Sequence, residues 1–209
     1  MRRLAVLCAL FVLLAPATVR ATVGGETLCE VLGWEASTQR VYIHQSTADG
    51  GDSFGRVLAI ELAGPHPGEP VPLPWVRTGE GTANDPELQA QLRRLRARLR
   101  PLHPAAWQAL PIRSEVVASD SVANDRGLSR RLRVRVSFGL GPEFTVTTWG
   151  SPTVVRSSAY EIPGRSDQIW ILAFMGDPFE VGYETQVPVL VRKGDAGTRT
   201  IEWGRSPHE

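Results

Sequence analysis

The chain has 209 residues, 42% of them hydrophobic, which is long enough for a real core and for one domain or a small two-part domain. Its 23 basic and 22 acidic side chains leave a net charge of +1, without the strong basic excess of a dedicated nucleic-acid binder, so that class is set aside. Of the two cysteines, Cys8 lies in an apolar leader, so Cys29 is left without an internal disulfide partner and the core alone must stabilise the fold.

The N-terminus reads M-R-R, runs apolar from Leu4 to Ala15, meets Pro16 and ends at V-R-A. A basic start, a short apolar stretch and a small residue at Ala21 make residues 1–21 a signal peptide, because a membrane-spanning helix needs about 20 apolar residues. Cleavage after Ala21 would remove Arg2, Arg3 and Arg20 and no acid, turning the net charge to −2. The expected location is therefore secreted or periplasmic. The mature chain carries no stable transmembrane segment, and its partner would be an envelope or extracellular one.

Residues 22–209 read as a single mainly-β domain. Its first part, residues 22–76, holds two strands, Arg40–His44 and Arg56–Leu62. Val41 and Ile43 alternate with Tyr42 and His44, the period of two of a half-buried strand. Between the strands, T-A-D-G-G-D-S-F-G (Thr47–Gly55) forms the hairpin tip, where glycine tolerates positive φ and Asp bonds its own backbone. The acids Asp49 and Asp52 are the nearest approach to a metal motif. As a calcium loop starting at Asp49 they fail, because Gly51, Phe54 and Ile60 occupy positions that need an oxygen ligand, glycine and glutamate.

The residues Gly33-Trp34, the polar turn Glu35–Gln39, the strand Arg40–His44, the tip Asp49-Gly50-Gly51, the strand Val57–Leu62 and the turn Gly68-Glu69-Pro70 together resemble one blade of a TolB-type β-propeller. The likeness spans residues 29–73. No second copy follows, whereas a propeller needs at least four blades, so a propeller is not expected. The chain as a whole is similar to uncharacterised secreted bacterial proteins with one such hairpin, a resemblance that implies no activity and no cofactor.

Residues 77–110 form a loop and a helix. Pro70, Pro72 and Pro74 first impose an extended path. Asp85 then caps a helix over about 86–100, opened by Pro86 and stopped by Pro101. Leu88, Leu92, Leu95 and Leu99 make one apolar stripe whose burial contributes roughly 6–12 kcal/mol before entropy. Arg93, Arg94, Arg96, Arg98 and Arg100 cover the other faces. Such a helix packs on a sheet; Arg93, Arg96 and Arg100 are also the candidates for gripping a polyanion or an envelope lipid.

Residues 111–209 read as antiparallel strands. Leu132, Val134, Val136 and Phe138 alternate with Arg131, Arg133 and Arg135, giving one apolar and one basic face and a second set of candidate polyanion ligands. Glu143–Trp149, Val154–Ile162, Ile169–Met175, Glu184–Arg192 and Arg199–Trp203 complete the set, with Ile169–Met175 apolar throughout as a strand covered on both faces. The fold class is mainly β (α+β): an antiparallel sheet or sandwich of about nine or ten strands with one amphipathic helix packed against it.

Catalytic motifs are missing: there is no nucleophile elbow, phosphate loop, H-E-x-x-H or C-x-x-C. The four histidines, His44, His66, His103 and His208, are scattered, so no metal or other cofactor is expected. Asp177, Glu180 and Glu184 are the best carboxylates for a hydrolytic pair, flanked by Trp170, Phe179 and Tyr183. The expected function is thus an exported, non-enzymatic binding or structural protein of the cell envelope. A carboxylate-dependent secreted hydrolase and an Arg-based polyanion or lipid binder are the alternatives.

Overall fold

The computed structural model describes residues 26–49, 52–64, 67–73, 86–105, 112–124, 127–139, 143–176, 183–192 and 198–201. Among them are twelve strands and one helix: β1 (Thr27–Glu35), β2 (Arg40–Asp49), β3 (Asp52–Glu61), β4 (Pro70–Pro72), α1 (Pro86–Arg98), β5 (His103–Pro104), β6 (Ile112–Asn124), β7 (Gly127–Phe138), β8 (Glu143–Trp149), β9 (Val154–Glu161), β10 (Gln168–Met175), β11 (Glu184–Val191) and β12 (Thr198–Ile201). The fold is mainly β with a single helix, as the patterning implies. The leader, Asp85, Asp177 and Glu180 lie outside the described residues.

Eight strands form one sheet in the order β4-β3-β2-β1-β11-β10-β9-β5, and four form a second in the order β12-β8-β7-β6. Sequence neighbours that pair do so antiparallel, as does β5 with β9, but two long returns are parallel: β1 meets β11 at Thr27↔Thr185, and β12 meets β8 over Thr198–Ile201. The large sheet is therefore mixed rather than purely antiparallel. Pairing of β1 with β11 is confined to that one register position, and Pro188 further along β11 has no N–H to offer a neighbour.

Three hydrophobic clusters hold the layers together. The alternating strand β7 sends Leu132, Val134, Val136 and Phe138 inward to meet Trp170, Leu172 and Phe174 of β10 and Val187 and Val189 of β11. Phe138 packs edge-on against Trp170, ring centroids 4.6 Å apart. The odd-numbered residues Ile169 and Ile171 of the same β10 enter a second cluster with Val41, Ile43, Ile60 and Leu62 of β2 and β3. This second cluster spans β3 to β10, and Arg192 after β11 donates to the carbonyl oxygen of Leu62 at the end of β3. The sheet therefore coils until the ends of non-neighbouring strands touch. The expectation that β10 is covered on both faces is met: its six central residues are all buried.

The third cluster places Leu88, Leu92 and Leu95 of α1 on Leu32, Tyr42, Val57 and Ala59, the opposite face of β1–β3. The helix ends at Arg98, two residues short of the expected stop. Arg100 instead exchanges two backbone hydrogen bonds with Trp34, each 2.9 Å, which holds the chain extended ahead of Pro101. That approach requires Gly33, whose φ is +141°; a Cβ there would stand 2.7 Å from the Arg100 carbonyl oxygen.

Candidate functional site

The strand alternation that sorts the core also sorts the polar side chains. On the coiled face of β1–β3, Cys29, Gln45 and Arg56 are register partners in a row across three strands. Arg56 donates to Gln45 Oε1 at 2.6 Å, and the Cys29 thiol donates to the Gln186 carbonyl oxygen at 3.4 Å while its backbone N–H donates to Gln186 Oε1 at 2.8 Å. The Gln186 amide passes the chain on to Glu184 at 2.7 Å, and Glu184 accepts from Arg156 of β9. Gln45 and Gln186 are both buried. The network therefore joins β3, β2, β1, β11 and β9 through side chains.

Its electrostatics make it inert. Burial pushes the Cys29 thiol up to about 12, outweighing the nearby Arg56 charge and the Gln45 hydrogen bond that pull the other way. A thiol in that state is protonated at any ordinary pH and is not a nucleophile. Burial also depresses the Arg56 guanidinium. At Glu184 burial raises the carboxyl, but the bonds from Arg156 and Gln186 together prevail and hold it low, hence ionised and occupied. Of the carboxylates that the hydrolase alternative would use, Glu184 is thus held in the network, while Asp177 and Glu180 fall outside the described residues.

The opposite face of the same strands holds a second group. Glu30 and His44 are register partners on β1 and β2, and Arg96 of α1 reaches both Glu30 oxygens at 2.6 and 2.7 Å. His44 Nδ1 lies 3.8 Å from Glu30, and its Nε2 has no hydrogen-bond partner among the described residues. The ring occupies the space a side chain at residue 55 would need: a Cβ on Gly55 would be 2.7 Å from Nε2. Burial lowers the His44 pKa, Glu30 opposes that and Arg96 adds to it. Three elements are thereby tied together by one charged cluster.

The arginines proposed from sequence are spread over this architecture. Arg96 is tied to Glu30, Arg98 lies 3.9 Å from Glu35, and Arg100 stacks 5.9 Å from the Trp34 ring centroid, so these three stitch the helix segment to β1. Arg93 is exposed on the solvent side. On β7, Arg131 makes a two-pronged bond to Asp120 of β6, at 3.0 and 2.5 Å, which pulls the Asp120 carboxyl below its usual range. Arg135 lies 3.7 Å from Glu115 and 4.0 Å from Glu143, and Arg133 is exposed. The helix arginines belong with the large sheet and the β7 arginines with the small one. The basic face of β7 is interleaved with acids from both neighbouring strands.

Asp49 and Asp52 are register partners closing the β2–β3 hairpin, separated only by residues 50 and 51; their side chains lie outside the described part. The hairpin strands thus reach further than the tip Thr47–Gly55 expected from composition. Among the described residues no group of three or more His, Cys, Asp or Glu is placed to hold a metal ion. No described helix is long and apolar enough to cross a membrane.

Among the described residues, the β6–β7 hairpin is a further distinctive surface. It pairs from Ile112↔Phe138 to Asn124↔Gly127, whereas β8 accompanies β7 only as far as Arg131↔Trp149. The end of the hairpin therefore runs on as a two-stranded arm. Leu128 on that arm is 77% exposed, and Val116 and Val117 of the edge strand β6 are each 39% exposed. Sequence patterning missed β6, because an exposed edge strand with a bulge between Val116 and Ala118 shows no alternation to read. A search of family models, of curated proteins and of solved structures found no match to this chain.

Proposed function

We propose that the protein is exported and works outside the cytoplasm, in the cell envelope or beyond it, as a binding or structural element rather than an enzyme. Export rests on the leader: Arg2 and Arg3, the apolar run Leu4–Ala15 and the small residue Ala21 before the mature start at Thr22. The observation that carries the binding role is the β6–β7 hairpin, which holds Leu128 out in solvent on its two-stranded arm and exposes Val116 and Val117 on its open edge. Two of the described groups that chemistry could use are engaged elsewhere, with the Cys29 thiol held protonated and Glu184 held by Arg156. For the polyanion alternative, Arg96, Arg131 and Arg135 lie beside Glu30, Asp120 and Glu115, which leaves that reading a weaker support.

The test is expression of the full chain, tagged at its C-terminus, in a bacterial host, followed by fractionation and mass analysis. The expected product is periplasmic or in the medium and begins at Thr22. A cytoplasmic product that retains Met1–Ala21 overturns the reading.

A further inference from the structure

The face assignments along β6 carry a consequence for self-association. Ile112, Ser114, Val116 and Ser119 oppose Phe138, Val136, Val134 and Leu132, the inward residues of β7, whereas Arg113, Glu115, Ala118 and Asp120 oppose the outward Ser137, Arg135, Arg133 and Arg131. Arg113 and Asp120 are seven residues apart, which in a regular strand would put them on opposite faces. The extra residue at the bulge, Val117, brings them onto the same face. Asp120 is bonded to Arg131; Arg113 makes no ion pair among the described residues.

Now let a second copy of β6 run antiparallel to the first about a twofold axis between Val116 and Val117. Arg113 then stands opposite Asp120 of the other copy, twice by symmetry, Ser114 opposite Ser119, Glu115 opposite Ala118, and Val116 opposite Val117. Outside the central bulge residue Val117, which has no register partner on β7, every pair joins residues of the same face, as antiparallel pairing requires. The bulge of one copy meets the bulge of the other, so neither interrupts the register. Bulges ordinarily deter a foreign strand from an open edge, and this strand carries no proline or lysine, the other common deterrents. An edge so shaped rejects a regular strand and accepts its own copy.

We propose that the protein forms a homodimer by antiparallel pairing of β6 with β6 of a second copy, joining two four-stranded sheets into one of eight, with Arg113–Asp120 ion pairs at both ends of the contact. Backbone hydrogen bonds of the two open edges supply the attraction, the exposed valines are covered at the centre, and the charges set the register. The proposal goes beyond the functional reading above and does not depend on export.

Sedimentation velocity on the full chain, from low micromolar to about 200 µM, is the primary measurement, a range suited to an interface of modest area. A reversible dimer is expected. Arg113→Asp and Asp120→Arg each replace two attractions with two repulsions and should weaken the dimer about tenfold or more. Asp120→Arg also loses the bond to Arg131, so folding is checked by circular dichroism and the decisive experiment mixes the two single variants. In the mixed dimer both contacts are attractive again, Asp at 113 facing Arg at 120 and Arg113 facing Asp120. Association in the mixture stronger than in either variant alone is the expected result, and no role of these residues within one chain produces it. A wild type that stays monomeric throughout, a dimer unmoved by the single changes, or a mixture no better than its components each overturns the proposal. Pairing of β6 with a different protein alone would appear as the first of these.

Discussion

Burial moves the Cys29 thiol from 9.0 to about 12, and Arg56 and Gln45 only partly offset it. Because the native thiol keeps its proton when an unfolded one has lost it, its contribution to stability is complete below about pH 9 and is lost as pH rises toward 12. In that window the slope approaches about 1.4 kcal/mol per pH step. Cys29→Ala should flatten the decline: thermal unfolding at pH 8 and at pH 10.5 should differ less in the variant than in the wild type. An equal decline in both would show that the thiol is not buried as described. Residue chemistry of this kind was only half legible in the sequence. Cys29 was visible as a thiol without a disulfide partner and is half-buried, but its partners Gln45 and Gln186 are 16 and 157 positions away. Glu184 was visible as an acid, whereas the Arg156 that neutralises it depends on cross-strand register that no local pattern encodes.

The helix α1 illustrates an element that was legible nearly whole, and its mode of docking one that was not. Three of the four stripe leucines, Leu88, Leu92 and Leu95, are under 4% exposed, while Leu99, just past the helix end, is half-buried against the same cluster. The opposite charges did not announce that Arg96 would clamp Glu30 beside His44. His44 is depressed chiefly by burial, so below its ordinary value of 6.5 the unfolded chain binds the proton first and stability falls as pH drops. Arg96→Ala removes a positive neighbour from His44 and releases Glu30 to face it, and both changes favour the protonated ring. The expected outcome is an upward move of the His44 midpoint in an NMR titration, with a stability cost of about 0.5–1 kcal/mol for the partly exposed pair. A midpoint that stays or falls would dissolve the clamp as drawn. Among the strands, β7 and β10 were evident because alternation or continuous apolarity tracks burial. By contrast β6, exposed on an edge and broken by its bulge, has no such constraint on its composition.

At the scale of the molecule, mainly-β architecture with one packed helix follows from patterning alone, but the closing pairs β1–β11 and β8–β12 do not. They join segments roughly 55 to 160 residues apart in parallel, and loop closure over such distances leaves no local trace. Within this architecture β10 is the shared wall of two cores. Leu172 faces β7 and β8, and its sequence neighbour Ile171 faces β2 and β3. Removing either side chain should therefore loosen both layers together rather than one. Leu172→Ala and Ile171→Ala are each expected to cost about 2–5 kcal/mol. For a chain of this length that lowers the melting temperature by roughly 4–20 °C. Trp170 lies in the first core and Trp34 in the second; because the chain has six tryptophans, each is read from its own Trp34→Phe or Trp170→Phe background as the difference in fluorescence from the wild type. Coincident transitions in both backgrounds, shifted alike by either alanine, are the expected result. A first transition seen only by the tryptophan nearest the mutation would mean that β10 does not couple the layers.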